Sequence, residues 1–255
     1  MLRNIYLEIE YDGTNFFGWQ IQNKVQNSKL KAQSLRTVQG EVEKAIEKLF
    51  NKRIRIVYSG RTDRGVHAKA QVINFKVETR LLPESIRKAL NSFLPEDIYI
   101  KKIKFASLDF HSRFRVKLKT YRYLILNKKE RDIFLRNYTW WVPQKLDMDL
   151  MRKASYLLIG KKDFSLFSKQ ASKYKSCLRT VKNITINKRG SLLIIDISAE
   201  GFLRGMVRNI VGFLTKVTLD NLSLREVKDF LKKGKRAPYI KPAPPQGLYL
   251  YKVFY

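Results

Sequence analysis

Two hydrophobic rhythms follow one another along this chain in the same order twice, and that repetition constrains the fold more than any other feature. Residues 2–10 place Ile5, Leu7 and Ile9 at every second position, the period of a half-buried strand. Val38, Val42, Ala45, Ile46, Leu49 and Phe50 then recur at helical spacing. Residues 53–59 and 66–77 return to strand-like composition around a glycine-bounded loop. Pro83 opens a helix whose Ile86, Ala89, Leu90, Phe93 and Leu94 share a face, and residues 98–103 close the half as a strand. The second half runs likewise. A strand spans 113–126 and a helix 147–159, stopped by Gly160; strands follow at 181–187 and 192–198. A long helix then starts at about Phe202, another at Ser223 with Glu226 completing a capping box, and a strand closes at 248–254.

Each half therefore reads β-α-β-β-α-β, the split βαβ arrangement. The expected fold is α+β: two similar halves, 1–107 and 108–255, forming a mixed, mostly antiparallel sheet with helices on one side. Residues 23–35 are polar without apolar periodicity and read as a loop; 232–245 read as a connector rich in Lys, Pro and Gly.

Charge narrows the partner. The chain carries 52 Lys and Arg against 22 Asp and Glu, net +30, yet 44% of it is hydrophobic. A core is affordable, so the charge belongs to folded sequence rather than to a disordered tail, and self-repulsion on that scale points to a polyanionic partner. A single cysteine, Cys177, excludes an internal disulfide framework and fits a reducing, cytoplasmic setting. No stretch approaches the roughly 20 apolar residues of a membrane span. Two histidines and one cysteine leave no ligand set for structural zinc.

One loop stands out chemically. In Tyr58-Ser59-Gly60-Arg61-Thr62-Asp63-Arg64-Gly65-Val66-His67-Ala68, the two glycines permit a tight turn that presents Asp63 at a sheet edge. Arg61 and Arg64 flank it, and neighbouring cations favour the ionised carboxylate that a nucleophile or base requires. From the residues alone, an ordinary Asp-Arg-Gly turn with Asp63 bonding nearby amides is the favoured reading. On the helix from Phe202, Arg204, Gly205, Arg208, Asn209, Gly212 and Lys216 occupy the face opposite the apolar one. Each mid-helix glycine costs about 1 kcal/mol. Their presence suggests either a backbone or substrate lying close, or simply a weak helix with surface arginines.

The decapeptide from Ser59 to Ala68 resembles the signature of the TruA family of tRNA pseudouridine synthases. The likeness extends through Tyr11-Asp12-Gly13-Thr14, Phe17-Gly18-Trp19-Gln20, Thr37-Val38-Gln39-Gly40, Leu94-Pro95-Glu96-Asp97-Ile98 and Phe110-His111-Ser112-Arg113-Phe114. It continues through Tyr121-Arg122-Tyr123, Asp163-Phe164-Ser165-Leu166-Phe167, Cys177-Leu178-Arg179-Thr180, Met206-Val207-Arg208-Asn209 and Gly247-Leu248-Tyr249-Leu250. Two departures are visible: residues 23–35 are longer than the usual connection, and Lys162 stands where the family has a histidine.

What the resemblance implies is specific. Asp63 becomes the nucleophile of a uridine-to-pseudouridine isomerisation in the anticodon stem-loop of tRNA, at positions 38–40. One carboxylate suffices, by attack at C6, at C1′ or by removal of the 2′ proton, because nothing is hydrolysed and no second group is needed for water. Tyr121 stacks on the target uracil, Arg208 pairs with Asp63, Leu248 lines the uracil pocket and Arg61 contacts substrate in an RNA-binding cleft between the halves. The residues themselves also allow Tyr121 and Leu248 as plain sheet core. The resemblance further implies a homodimer that needs no metal, redox centre or nucleotide cofactor. The target base is flipped out at a cost of a few kcal/mol, which phosphate contacts from the basic surface offset. Two rivals remain from sequence: a non-catalytic basic RNA-binding protein, and a glycosylase that releases the base. His67 and His111 read as structural hydrogen-bonders, and Trp140-Trp141 and Cys177 as packing.

Overall fold

A computed structural model describes residues 1–21, 35–233 and 240–255. The loop read at 23–35 therefore lies outside the described residues except at Leu35, as does the middle of the 232–245 connector. The chain divides into two compact units, Met1–Lys117 with Leu250–Tyr255, and Leu118–Tyr249.

The first unit holds β1 (Leu2–Tyr11), α1 (Val38–Phe50), β2 (Val57–Tyr58), β3 (His67–Glu78), α2 (Pro83–Phe93) and β4 (Ile98–Ala106). β1 lies antiparallel between β3 and β4, with Leu7 opposite Ile73 on one side and Ile103 on the other. Alternation does what the pattern requires: Ile5, Leu7 and Ile9 are fully buried. Val38, Val42, Ala45 and Ile46 of α1 are buried as well. Thr37 caps α1, its hydroxyl accepting from Gly40 N at 3.3 Å, and Pro83 stands in the first turn of α2.

The second unit contains β5 (Leu118–Leu126), β6 (Trp140–Trp141), α3 (Met148–Tyr156), β7 (Gly160–Asp163), β8 (Leu178–Arg189), β9 (Leu192–Ala199), α4 (Met206–Leu219) and α5 (Leu224–Lys233). Its strands order as β5-β9-β8-β7, with antiparallel neighbours, and β6 pairs parallel to β5. β10 (Leu248–Phe254) carries the chain from this unit back into the first. The capping box at α5 forms as expected: Ser223 N donates to Glu226 Oε2 at 2.8 Å, and Glu226 N donates to Ser223 Oγ at 3.3 Å. Among the described residues the whole is α+β, with ten strands and five α-helices in mixed, mostly antiparallel pairing, and no helix is long and apolar enough to cross a membrane.

Several element boundaries differ from the expectation, four of them instructively. The strand expected at 53–59 shrinks to two residues, because only Val57 and Tyr58 find register partners on β3. β5 starts at Leu118 rather than 113, since residues 107–115 turn back on themselves, Phe110 N donating to Ser107 O and Arg115 N to His111 O. α3 ends at Tyr156, and Gly160, at φ +102°, opens β7 instead of closing the helix. The helix placed at Phe202 begins at Met206: Gly205 sits at φ +75° as its N-cap, a left-handed conformation that cannot continue a right-handed helix backwards.

Candidate functional site

The loop bearing Asp63 is held from two directions. Beneath it, Ser59 N donates to Val72 O at 2.8 Å, Ser59 Oγ donates to Gln71 Oε1 at 2.5 Å, and Gln71 Nε2 donates to Gly60 O at 2.7 Å. These bonds tie the front of the loop to β3. Above it runs the segment from Asp12 to Trp19. Trp19 N donates to Thr62 O at 3.1 Å and Gly65 N donates to Phe16 O at 3.4 Å. A Cβ at Gly13 would overlap the carbonyl of Val66, and Gly18, at φ +93°, would place one 2.8 Å from Thr62 O. Only glycine admits both approaches. The motifs around Gly13 and Gly18 thus act as a backbone clamp on the loop, a role their sequence did not disclose.

Side chains complete the seat. Tyr11 OH and Thr62 Oγ1 share a hydrogen bond of 2.8 Å, and the buried Trp19 ring packs between Tyr11 and Tyr58 at centroid distances of 6.0 and 5.3 Å. Buried His67 accepts from Gly13 N through Nδ1 at 2.9 Å, with Asp12 Oδ1 3.1 Å from the same nitrogen. His67 is therefore the structural hydrogen-bonder expected. Asp63 itself is half-buried, and its carbonyl accepts from Val66 N at 3.2 Å. The flanking arginines are exposed and meet aromatic groups: Arg61 Nε donates to Tyr58 OH at 3.3 Å, and the Arg64 guanidinium lies 4.2 Å above the Phe17 ring.

Asp63 and Arg61 belong to the first unit; Tyr121, Arg208 and Leu248 belong to the second. In the second unit, α4 is buried almost all round, and the face read as polar is only partly solvated: Asn209 is fully buried and donates to Phe167 O at 2.6 Å. The glycine on that face answers the question left by the sequence. A Cβ at Gly212 would overlap Lys241 O, so an extended strap packs directly on the helix backbone. Arg208 anchors the same strap: its Nε donates to Ala243 O at 2.7 Å, and Ala243 N donates to Arg208 O at 2.9 Å.

The strap then runs onto Tyr123. Tyr123 OH donates to Pro244 O at 2.7 Å, and Gly247 passes close enough that a Cβ would lie 2.6 Å from the tyrosine ring. Burial pushes the Tyr123 phenol well above its ordinary range, while the positive charge of Arg208 pulls the other way. Leu248, buried, follows directly, its N–H donating to Pro245 O. The structure thus gathers Arg208, Tyr123 and the start of β10 into one packed group; Tyr123 was not among the expected site residues. Tyr121, two positions earlier on β5, is buried with its ring edge-on to Phe202 at 4.9 Å. Cys177 is half-buried, its thiol 3.6 Å from Ala171 O. Among the described residues, no three His, Cys, Asp or Glu side chains gather as a metal site.

Comparison with known proteins bears on all of this. A family model described as tRNA pseudouridine synthase matches residues 8–115 and 154–255. Relatives named tRNA pseudouridine synthase A align over the full length of both chains. Those from Fervidobacterium nodosum and Thermoanaerobacter sp. strain X514 are 42% identical to this chain, and that from Thermosipho melanesiensis is 44% identical.

Proposed function

The chain belongs to the tRNA pseudouridine synthase family, and on that premise we propose that Asp63 is the carboxylate that carries the family's reaction. The enzyme isomerises uridine in tRNA to pseudouridine. In that reaction the N1–C1′ bond breaks, the base turns, and a C5–C1′ bond forms; C5 loses its proton and N1 gains one. Nothing is oxidised and nothing is hydrolysed.

The observation that carries the proposal is the two-sided clamp on the Asp63 loop. Backbone bonds from β3 and from the segment at residues 12–19 fix its main chain, and two glycines admit contacts that no side-chain-bearing residue tolerates. A group that must meet one reacting carbon gains from such fixing, since a misplacement of about 1 Å can cost a hundredfold in rate. For the remaining residues the proposed roles are stacking on the uracil for Tyr121, a partner cation for the carboxylate from Arg208, an apolar wall from Leu248 and RNA contact from Arg61. The support is the match of each to a family motif, together with the bond from Arg208 Nε to Ala243 O that holds a long, flexible side chain. The same motifs support action in the anticodon stem-loop at positions 38–40 by a cytoplasmic homodimer without a cofactor.

Incubation with tRNA labelled as [5-³H]uridine tests the assignment. Wild type releases tritium while the RNA strand stays intact, and a pseudouridine map places the product at 38–40. Asp63→Asn abolishes release and leaves tRNA affinity within a few-fold; turnover by that variant would remove Asp63 from its role.

A further inference from the structure

The hairpin-like turn at residues 107–115 is anchored far more heavily than an exposed connection requires. Asn4 of β1 and Asn74 of β3 are almost wholly buried, and both spend their side chains on it. Asn4 Nδ2 donates to Ser107 O at 2.8 Å and to Phe110 O at 3.0 Å. Asn74 Oδ1 accepts from Ser112 N at 2.9 Å, and Asn74 Nδ2 donates to Asn4 Oδ1 at 2.9 Å. Just past β10, Tyr255 OH donates to Ser112 O at 2.8 Å, and the Phe110 ring packs against Tyr6 and Tyr255. Burying two amides in a sheet is costly unless every bond is made. Here the bonds are made to hold one turn.

What that turn presents is an aromatic ring in solvent. Phe114 is 75% exposed. Its inner face stacks on His111 at 4.3 Å and 27°, and His111 Nδ1 accepts from Arg113 N and Phe114 N, which fixes both rings to the turn's backbone. The Arg113 guanidinium lies 5.6 Å from the Phe114 ring centre, and Arg115, paired with Asp109, and Lys117 are exposed beside it. A rigid ring bracketed by cations on a chain of net +30 fits a planar, electron-rich group attached to a phosphate. An apolar protein partner would be poorly matched to those charges.

We propose that Phe114, backed by His111, is a stacking shelf for a nucleobase of the RNA substrate, with Arg113 on the adjoining phosphate. The shelf binds RNA and takes no part in the chemistry at Asp63. It rests on the reading of tRNA as substrate, which tritium release by the wild-type enzyme tests separately.

Binding of unmodified tRNA and of heparin, a polyanion without bases, is compared for the whole protein and its Phe114→Ala, Phe114→Leu and Phe114→Trp variants. Loss of one base stack should weaken tRNA binding about tenfold or more in the Ala variant. Leu should fail to restore it, Trp should restore it, and heparin binding should stay unchanged in all three. Equal affinity of Phe114→Ala and wild type for tRNA overturns the shelf, as does full rescue by Leu. If Phe114→Ala instead alters sedimentation while each site keeps its tRNA affinity, the ring is a contact between copies of the chain and the proposal falls.

Discussion

Around Asp63, loop closes on loop; around Arg208, an extended strap closes on a helix. Both contacts depend on a glycine whose hydrogen faces a carbonyl, Gly13 against Val66 and Gly212 against Lys241. The surroundings differ. Gly13 follows β1 in a segment with its own turn bonds, so a displaced backbone has somewhere to go. Gly212 lies in the middle of α4, whose neighbours Ile210, Val211, Phe213 and Leu214 are all buried. A helix locked on several sides cannot yield locally, because its hydrogen bonds and its packing shift together. The first contact therefore controls the position of the loop bearing Asp63, and the second controls whether the second unit is well packed at all.

Substitution at the two glycines separates these roles. Gly212→Ala should give the larger loss of stability, about 3 kcal/mol, at the upper end of the cost of overpacking, read from the midpoint of denaturant unfolding. Gly13→Ala should cost about half as much stability, because the loop relaxes. Its kcat should nevertheless fall about a hundredfold as the loop carrying Asp63 shifts. Equal losses of stability at the two positions would erase the distinction between a yielding and an unyielding contact. A Gly13→Ala enzyme with normal kcat would show that the clamp does not position Asp63. Smallest of the three is Tyr123→Phe, which removes the bond to Pro244 O while keeping the ring against Gly247. It should cost about 1 kcal/mol, and a much larger loss would mean that the strap depends on this hydroxyl more than on the bonds from Arg208.

Much of the architecture was legible because it rests on local periodicity. The alternation of Ile5, Leu7 and Ile9, the stripe from Val38 to Ile46 and the box from Ser223 to Glu226 each state their own element. Glycines were the hardest residues to interpret. Gly160 read as a helix stop and opens a strand, and Gly205 read as mid-helix and caps the N-terminus. A glycine signals that an unusual backbone or a close approach is permitted, without saying which. Gly212 was the informative exception, since an expensive residue on a helix face flanked by arginines implied a neighbour pressed against the backbone, and one is there.

The site divided in the same way. Asp63 could be proposed because ten consecutive residues around it match one family's signature, and Arg208 because its motif sits on a strongly periodic helix. Tyr123 was quoted only as part of a motif, and nothing in the order of residues ties it to Pro244, more than a hundred positions away. The anchoring of the Phe114 turn by Asn4, Asn74 and Tyr255 was hidden for the same reason.

The sequence by itself determined the α+β order of elements, the polyanionic character of the partner and the family, because periodicity, charge and contiguous motifs all survive in one dimension. Only the tertiary structure decided what each glycine is for, which carbonyl Arg208 holds, and why two asparagines are buried in a sheet. Those are matters of which backbone meets which across a long stretch of chain, and packing settles them only when the whole unit is closed.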